Sequence, residues 1–331
     1  MEKLVSVIIP CYNSEAFIDF SIESVWTQDY CPIELIVVDD GSTDQSGERV
    51  LAWEERFAEK GYTLKYVYQN NRGPGGAIDT GLKYVTGVYL SLLDADDIYL
   101  PSAIRKKVEF LDTHPDYVGV RNNGWIVRGV ERRLFINSEK EKQIDDLFTA
   151  LSFGNTNNWS GSYMIRADTL FRFYPDRNIN PSRFGQNFQL LLPVSYKRKF
   201  GYIDDPLMEY RIQENSHSQA KDPNEQYRRA DKNTAGWRDI YMDLLDQIVT
   251  DPADHQFYKN AYNSVYYRAR LYRAAQFHNM EDLIQNYRLL KGTGYTSLND
   301  HILYYSAKHS AVAIPLKILR RLKMWISRTK D

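Results

Sequence analysis

The first hundred residues set short, unbroken apolar runs between stretches of helical periodicity. "LVSVIIP" reads as a buried strand closed by Pro10, and "IELIVVDDGS", "YTLKYVYQ" and "VYLSLLD" read as three more. "SEAFIDFSIESVWTQ" predicts a helix with Ser14 as N-cap and Phe17, Ile18, Ile22, Val25 and Trp26 on its apolar face. "TDQSGERVLAWEERFAEKG" predicts one helix stopped by Gly61, and "NNRGPGGAIDTGLKYVTG" a glycine-rich loop that runs into a helix. Unbroken apolar strands joined by crossover helices predict a Rossmann-like α/β fold: a mostly parallel sheet with helices on both faces. Ligands of such sheets gather at the carboxyl ends of the strands. Those ends carry "PCYN", "DDGS", "NNRGPGG" and "DADD".

Beyond Pro101 the pattern predicts a helix, "SAIRKKVEFLDTH", and a strand, "DYVGVRNNGWIV", then a mixed, loop-rich segment to roughly residue 215. From about residue 225 the chain turns helical and polar, with Tyr258, Tyr262, Val265, Ala269 and Tyr272 spaced as one face of a helix. The last stretch, "AVAIPLKILRRLKMWISRTKD", places Ile318, Leu319, Leu322, Trp325 and Ile326 opposite Lys317, Arg320, Arg321 and Arg328. A basic amphipathic helix with a tryptophan suits the interface of an anionic membrane. Docking on its own domain suits it equally.

Composition narrows the classes. A formal net charge of −1 argues against a dedicated nucleic-acid binder. Cys11 and Cys31 give neither a disulfide framework nor metal-ligand spacing, which fits a reducing cytoplasm. The amino terminus has no signal-peptide pattern, and no run of about 18 apolar residues predicts a membrane span. The 25 tyrosines are expected mainly to pack helices.

The strand ends hold the candidate chemistry. Asp94 and Asp96, two apart in an extended segment, face the same way, and paired carboxylates with oxygen-only donors suit Mg²⁺ or Mn²⁺. The plainer alternative for "DADD" is a capped turn with Asp97 exposed. Asp39 and Asp40 end a buried strand, where a carboxylate can accept from a base or a ribose hydroxyl; capping by Ser42 or Thr43 accounts for part of that stretch. The loop at Arg72 and Gly73 resembles a phosphate cradle in composition, with Arg72 as a positive charge or as a solvated turn residue. It is not a dinucleotide fingerprint, because the sixth position counted from Gly73 is Ile78 and the loop follows the third strand.

Taken in order, "VSVIIPCYN", "IELIVVDDGSTD", "NRGPGGAIDTGLKYVTGVYLSLLDADD" and "YIDDPLMEYRIQENSHS" resemble successive motifs of the family 2 glycosyltransferases, which have the GT-A fold. The resemblance covers roughly residues 3 to 220. It implies a GT-A domain over 1–220, with a nucleotide-sugar half to about residue 100 and an acceptor half beyond it, and a helical region over 221–331. It also implies a nucleotide-sugar donor (commonly a UDP-sugar), Mn²⁺ or Mg²⁺, and inversion at the anomeric carbon. Carried over, Pro10, Tyr12 and Asn13 border the nucleotide, and Asp40, ahead of Asp39, accepts from the uracil. Arg72, Gly73, Asp94 and Ala95 lie along the donor, Asp96 and Asp94 ligate the metal, and His217 stands near the metal or diphosphate. The expected partners are that donor and a glycan or lipid-linked acceptor of surface polysaccharide assembly. The expected place is the cytoplasm, with residues 311–330 touching the inner face of the membrane.

Two departures from the family pattern stand out. Ala77, Ile78 and Asp79 occupy the place of an Ala-Arg-Asn run. Gly185, Gln186 and Asn187 occupy the place of Gly-Glu-Asp, whose aspartate is the family's general base. Neither amide takes up a proton at neutral pH. Three accounts stay open. Gln186 and Asn187 hydrogen-bond the acceptor; the acceptor is an already ionised polyprenyl phosphate; or Asp176, Asp204 or Asp205 serves as base. A non-catalytic nucleotide-sugar or glycan-binding module is the rival from another class. A glycoside hydrolase, an NAD-dependent dehydrogenase and a nucleotidyltransferase each fit the strand ends less well.

Overall fold

A computed structural model describes residues 2–212 and 222–308. The chain divides into two compact units, Met1–Leu151 with Asn155–Ser216, and Ser152–Gly154 with His217–Asp331.

The first unit is built on nine strands: β1 (Val5–Cys11), β2 (Ile33–Asp39), β3 (Thr63–Tyr68), β4 (Tyr89–Leu92), β5 (Ile98–Tyr99), β6 (Tyr117–Arg128), β7 (Glu131–Leu134), β8 (Tyr163–Arg166) and β9 (Lys199–Arg211). Their order is β3-β2-β1-β4-β8-β6-β9-β5, with β7 beside β6. The expectation of a mostly parallel sheet is corrected: the sheet is mixed. β1, β2, β3 and β4 pair in parallel, as do β6 and β9. β8 runs antiparallel to both neighbours, and β5 and β7 are antiparallel to β9 and β6. Antiparallel neighbours need no crossover helix, so this half of the sheet leaves no strand–helix alternation in the sequence.

Physical chemistry explains the central strands. β1, β2 and β4 bury nearly every side chain, because helices cover both faces. Ile18, Ile22 and Val25 of the helix Ile18–Trp26 lie in that core. This helix begins at Ile18 with Phe17 at its cap position, so Ser14 is not its N-cap; the Ser14 Oγ bonds the Tyr12 carbonyl instead. The single helix expected before Gly61 is two, Ser46–Leu51 and Glu54–Glu59. Gly61 follows the second with φ +75°, as a stop glycine does.

The second unit holds the helices Pro223–Ile248, Pro252–Gln276, Met280–Gly292 and Leu298–Lys308. Asp222, Asp251 and Asn279 cap the first three by accepting amide hydrogens of the first turn. Tyr241 stacks on Tyr262, and Tyr287 on Tyr304, each pair with ring centroids 3.8 Å apart. The buried face of Pro252–Gln276 carries Ala261, Tyr262, Leu271 and Ala274, while Tyr272 stays exposed, so the expected stripe is displaced from its true position.

Candidate active site

The strand-end loops are tied to one another by their own polar side chains. Asn13, just past β1 with φ +47°, accepts the Thr43 amide at 2.8 Å, and its own backbone amide donates to Ser42 Oγ at 2.9 Å. Asp39 accepts the Ser42 amide on one oxygen and the Tyr66 hydroxyl on the other, both at 2.8 Å. Asp40 accepts Gln69 Nε2 at 2.6 Å, the Arg72 amide at 2.8 Å and the Gly73 amide at 2.7 Å. A carboxylate has about four acceptor sites, so one of Asp40 and two of Asp39 are left over. The same bonds alter the reading of the glycine-rich loop: two consecutive amides that resemble a phosphate cradle already hold Asp40. Arg72 stays exposed at the turn, and its guanidinium pairs with buried Asp79 at 3.2 Å. Tyr12 leaves its ring exposed beside Pro10.

Asp94, Asp96 and Asp97 lie on the turn between β4 and β5. Ser21 Oγ bonds the carbonyls of Ala95 and Asp97, each at 2.7 Å, and so fixes the turn against the helix Ile18–Trp26. Burial raises all three carboxyls. Asp94 is pushed up to about 6 by burial and then by the charge of Asp96, against a hydrogen bond from Ser160. Asp96 is raised by burial. Asp97 is raised well above the carboxylate range by burial and by its two neighbours, although the Arg211 amide donates to one oxygen at 2.9 Å. Its other oxygen is buried and unpartnered. The expectation of an exposed Asp97 in a capped turn fails: its exposure is 0%. Three carboxyls raised by burial, two of them also by their neighbours' charge, favour a cation. Among the described residues no group of three or more His, Cys, Asp or Glu is arranged to hold a metal ion. Asp94 and Asp96 would therefore be a two-carboxylate contribution, the kind Mg²⁺ and Mn²⁺ accept when phosphates fill other positions. His217 lies outside the described residues.

Asn187 sits in the first turn of the helix Gln186–Ser195, after Gly185 at φ +71°. Its side-chain oxygen accepts the hydroxyl of buried Tyr163 at 2.7 Å, and Gln186 Nε2 donates to the Arg183 carbonyl at 3.1 Å. Tyr163 is raised by burial and then by Asp94, which places Asn187 and the aspartate turn around one buried ring. The three alternative bases fare unequally. Asp204 is held below the usual range by Lys142, 2.9 Å away, and Asp205 pairs with Lys106 at 2.5 Å. Asp176 is exposed in the turn after the helix Ala167–Phe173. Sequence reasoning missed Ser160, Tyr163 and Tyr210, whose hydroxyl is raised by burial and by Asp97, Asp94 and Asp96. They reach the aspartates from β8, β9 and the turn ahead of β8, far along the chain, and no local spacing marks them.

Residues 6–174 match glycosyl transferase family 2. The chain belongs to that family. An uncharacterised glycosyltransferase of Nostoc sp. is 29% identical over 223 residues, which cover 65% of this chain and 67% of the relative. One of Rickettsia conorii is 28% identical over 214 residues, 63% of this chain and 33% of the relative. The match thus spans about a third of the length of the Rickettsia protein. Among solved structures, Staphylococcus aureus TarS residues 1–349 in complex with UDP-GlcNAc align with TM-score 0.53 at 19% identity, covering 87% of this chain and 90% of that one. A Pyrobaculum calidifontis mannosyltransferase in complex with GDP-Man and Mn²⁺ aligns with TM-score 0.56 at 17% identity, covering 98% and 85%. These likenesses establish the GT-A-like fold of this family 2 glycosyltransferase.

Proposed function

We propose that this family 2 glycosyltransferase moves a sugar from a nucleotide-sugar donor, a UDP-sugar first, to a hydroxyl of a glycan or lipid-linked acceptor in surface polysaccharide assembly. The observation that carries the reading is the aspartate turn: three buried or half-buried carboxyls are raised by burial at a strand end, two of them also by their neighbours' charge, and one has an unpartnered oxygen. The nucleotide lies along Pro10, Tyr12, Asn13, Arg72 and Gly73, with the exposed Tyr12 ring against the base and Asp40, ahead of Asp39, accepting from it. Asp94, with Ala95, lines the sugar side. Asp96 and Asp94, the family's DXD pair, would hold a Mn²⁺ or Mg²⁺, which would supply positive charge against the leaving diphosphate. His217 is a proposed neighbour of that site.

Inversion requires the acceptor oxygen to attack the anomeric carbon opposite the leaving diphosphate; the new C–O bond forms as the bond to the diphosphate breaks, and the hydroxyl proton passes to solvent water. Asn187, anchored by Tyr163, orients the acceptor, and Gln186 borders it; neither amide is the base. A polyprenyl phosphate acceptor, ionised beforehand, is the second reading, favoured by the absence of a carboxylate at residue 187 and by the basic residues 311–330. Those residues lie outside the described ones; their sequence supports peripheral contact with an anionic inner membrane face. No helix among the described residues is long and apolar enough to cross a membrane.

The test offers UDP-, GDP- and dTDP-sugars to the purified protein with Mn²⁺ or EDTA, beside Asp96→Ala. Metal-dependent release of one nucleotide, lowered at least about a hundredfold in the variant, is the expected result. Tight donor binding without turnover on any acceptor would leave a binding module. Absence of binding refutes the reading of the aspartate turn.

A further inference from the structure

The strand-end loops gather far more negative than positive side-chain charge, and the cations that border them are mostly answered. Arg72 pairs with Asp79 at 3.2 Å, and Arg211 with Glu209 at 3.3 Å. The Arg72 and Gly73 amides are taken by Asp40. Arg183 differs. Among the described residues no carboxylate pairs with it, and its one side-chain bond is from an Nη to Asn71 Oδ1 at 2.6 Å. It comes from the segment before Asn187, more than a hundred residues along the chain, yet its side chain lies flat on Gly73. A Cβ at residue 73 would stand 2.7 Å from Arg183 Cγ and 3.3 Å from Cζ.

The backbone that presents this guanidinium is braced. Asn180 exchanges two bonds with Gln189, at 2.7 and 2.9 Å. The Ser182 amide donates to Asn180 Oδ1 at 3.1 Å, and the Phe184 amide to Ser182 Oγ at 3.1 Å. The Ser182 carbonyl abuts Gly75, where a Cβ would come within 2.0 Å. The segment is thus keyed to the glycine loop at two successive residues. One of the five guanidinium donors is fixed on Asn71, and the remaining four form a preorganised fork that matches phosphate geometry.

We propose that Arg183 is the side chain that binds the diphosphate of the donor, its exposed fork taking phosphate oxygens beside Gly73. The proposal rests on the nucleotide-sugar reading above. It explains why residue 73 is a glycine: the position needs φ +81° and leaves the room in which the guanidinium lies. It also explains how a loop whose amides are already bound can still meet an anion.

The test measures the affinities of UDP, GDP, uridine and guanosine in Mn²⁺ for the full chain and for Arg183→Ala, Arg183→Gln and Arg183→Lys. The glutamine keeps a hydrogen-bond donor for Asn71 without the charge. Charge-assisted bonds of this kind set the expectation: the alanine and glutamine variants weaken the diphosphate roughly tenfold to a hundredfold and leave the nucleoside unchanged, and the lysine recovers part of the loss. Equal losses for diphosphate and nucleoside would make Arg183 a structural brace and overturn the proposal. So would a diphosphate affinity in Arg183→Gln equal to that of the parent. If the parent protein binds neither nucleotide, the site reading itself falls and the proposal with it, an outcome distinct from the other two. Arg183 is exposed, and circular dichroism checks that each variant keeps the fold.

Discussion

Lys107 is a fully buried lysine with no carboxylate beside it among the described residues. Its Nζ donates to the Gly161 carbonyl at 2.9 Å and lies 4.5 Å from the Tyr99 ring centre. Burial pushes its pKa down to about 7. An unfolded lysine titrates near 10.4, so between pH 10 and 7 the unfolded chain binds the proton first and stability falls as pH falls. The expected loss is about 4 kcal/mol across that window. Urea midpoints at successive pH values should show the slope in the parent and a flatter one in Lys107→Met. At the active site, Asn187→Ala should lower transfer to a sugar acceptor about tenfold or more while donor hydrolysis persists, because the acceptor loses its partner and the donor does not; paired hydrolysis and transfer assays check this. The carboxylates of the aspartate turn were legible because four neighbouring residues and a strand end suffice to find them. Tyr163 and Ser160 were not, since what makes them part of the site is a hydrogen bond to a residue far away in sequence. Asn187 lies between the two cases: its position was found from motif order, and its partner only from the fold.

Among the elements, the parallel half of the sheet could be read from unbroken apolar runs and helical spacing. Of the rest, β6 was read as a strand from "DYVGVRNNGWIV" although it buries Arg121, Asn122 and Asn123 in its middle, whereas β9 shifts register around Asp204 and Asp205 and shows no clean strand pattern. Most of their polar atoms have partners: Asn123 bonds the Ile136 amide and carbonyl, and Arg121 bonds Thr156 and the Glu141 carbonyl, while Arg121 Nε and Asn122 Oδ1 are buried without one among the described residues. The broken helix before Gly61 has a similar origin. Trp53, at the break, donates to Asp19 at 2.9 Å, and its ring carries the Arg56 guanidinium 4.1 Å above it. Interlocking elements also expose one weak point. Gly75→Ala would drive a methyl into the Ser182 carbonyl, so the glycine loop and the segment before Asn187 must separate. A stability loss of about 1–3 kcal/mol is expected, together with loss of transfer, read by urea unfolding and by the transfer assay.

For the whole molecule, the two units differ in how their sequences announce them. The helical unit was evident from its spacing, although its buried face was misplaced, since tyrosines populate several sides of Pro252–Gln276. Residues 311–330 hold six basic and no acidic side chains. Removing residues 311–331 should abolish co-sedimentation with phosphatidylglycerol vesicles, leave phosphatidylcholine vesicles unbound as before, and spare turnover on a soluble acceptor. The strand order has a consequence for synthesis on the ribosome. β1 to β4 can pair as soon as Leu92 has emerged, which leaves β4 with an open edge until β8 arrives. β6 in turn waits for β9, on the order of ten seconds after β4 at ordinary elongation rates. Until Arg211 emerges, the nascent chain already carries the repelling carboxyls of residues 94–97 without the amide that steadies Asp97. The last strand of the sheet is thus the step at which the aspartate turn gains its backbone anchor.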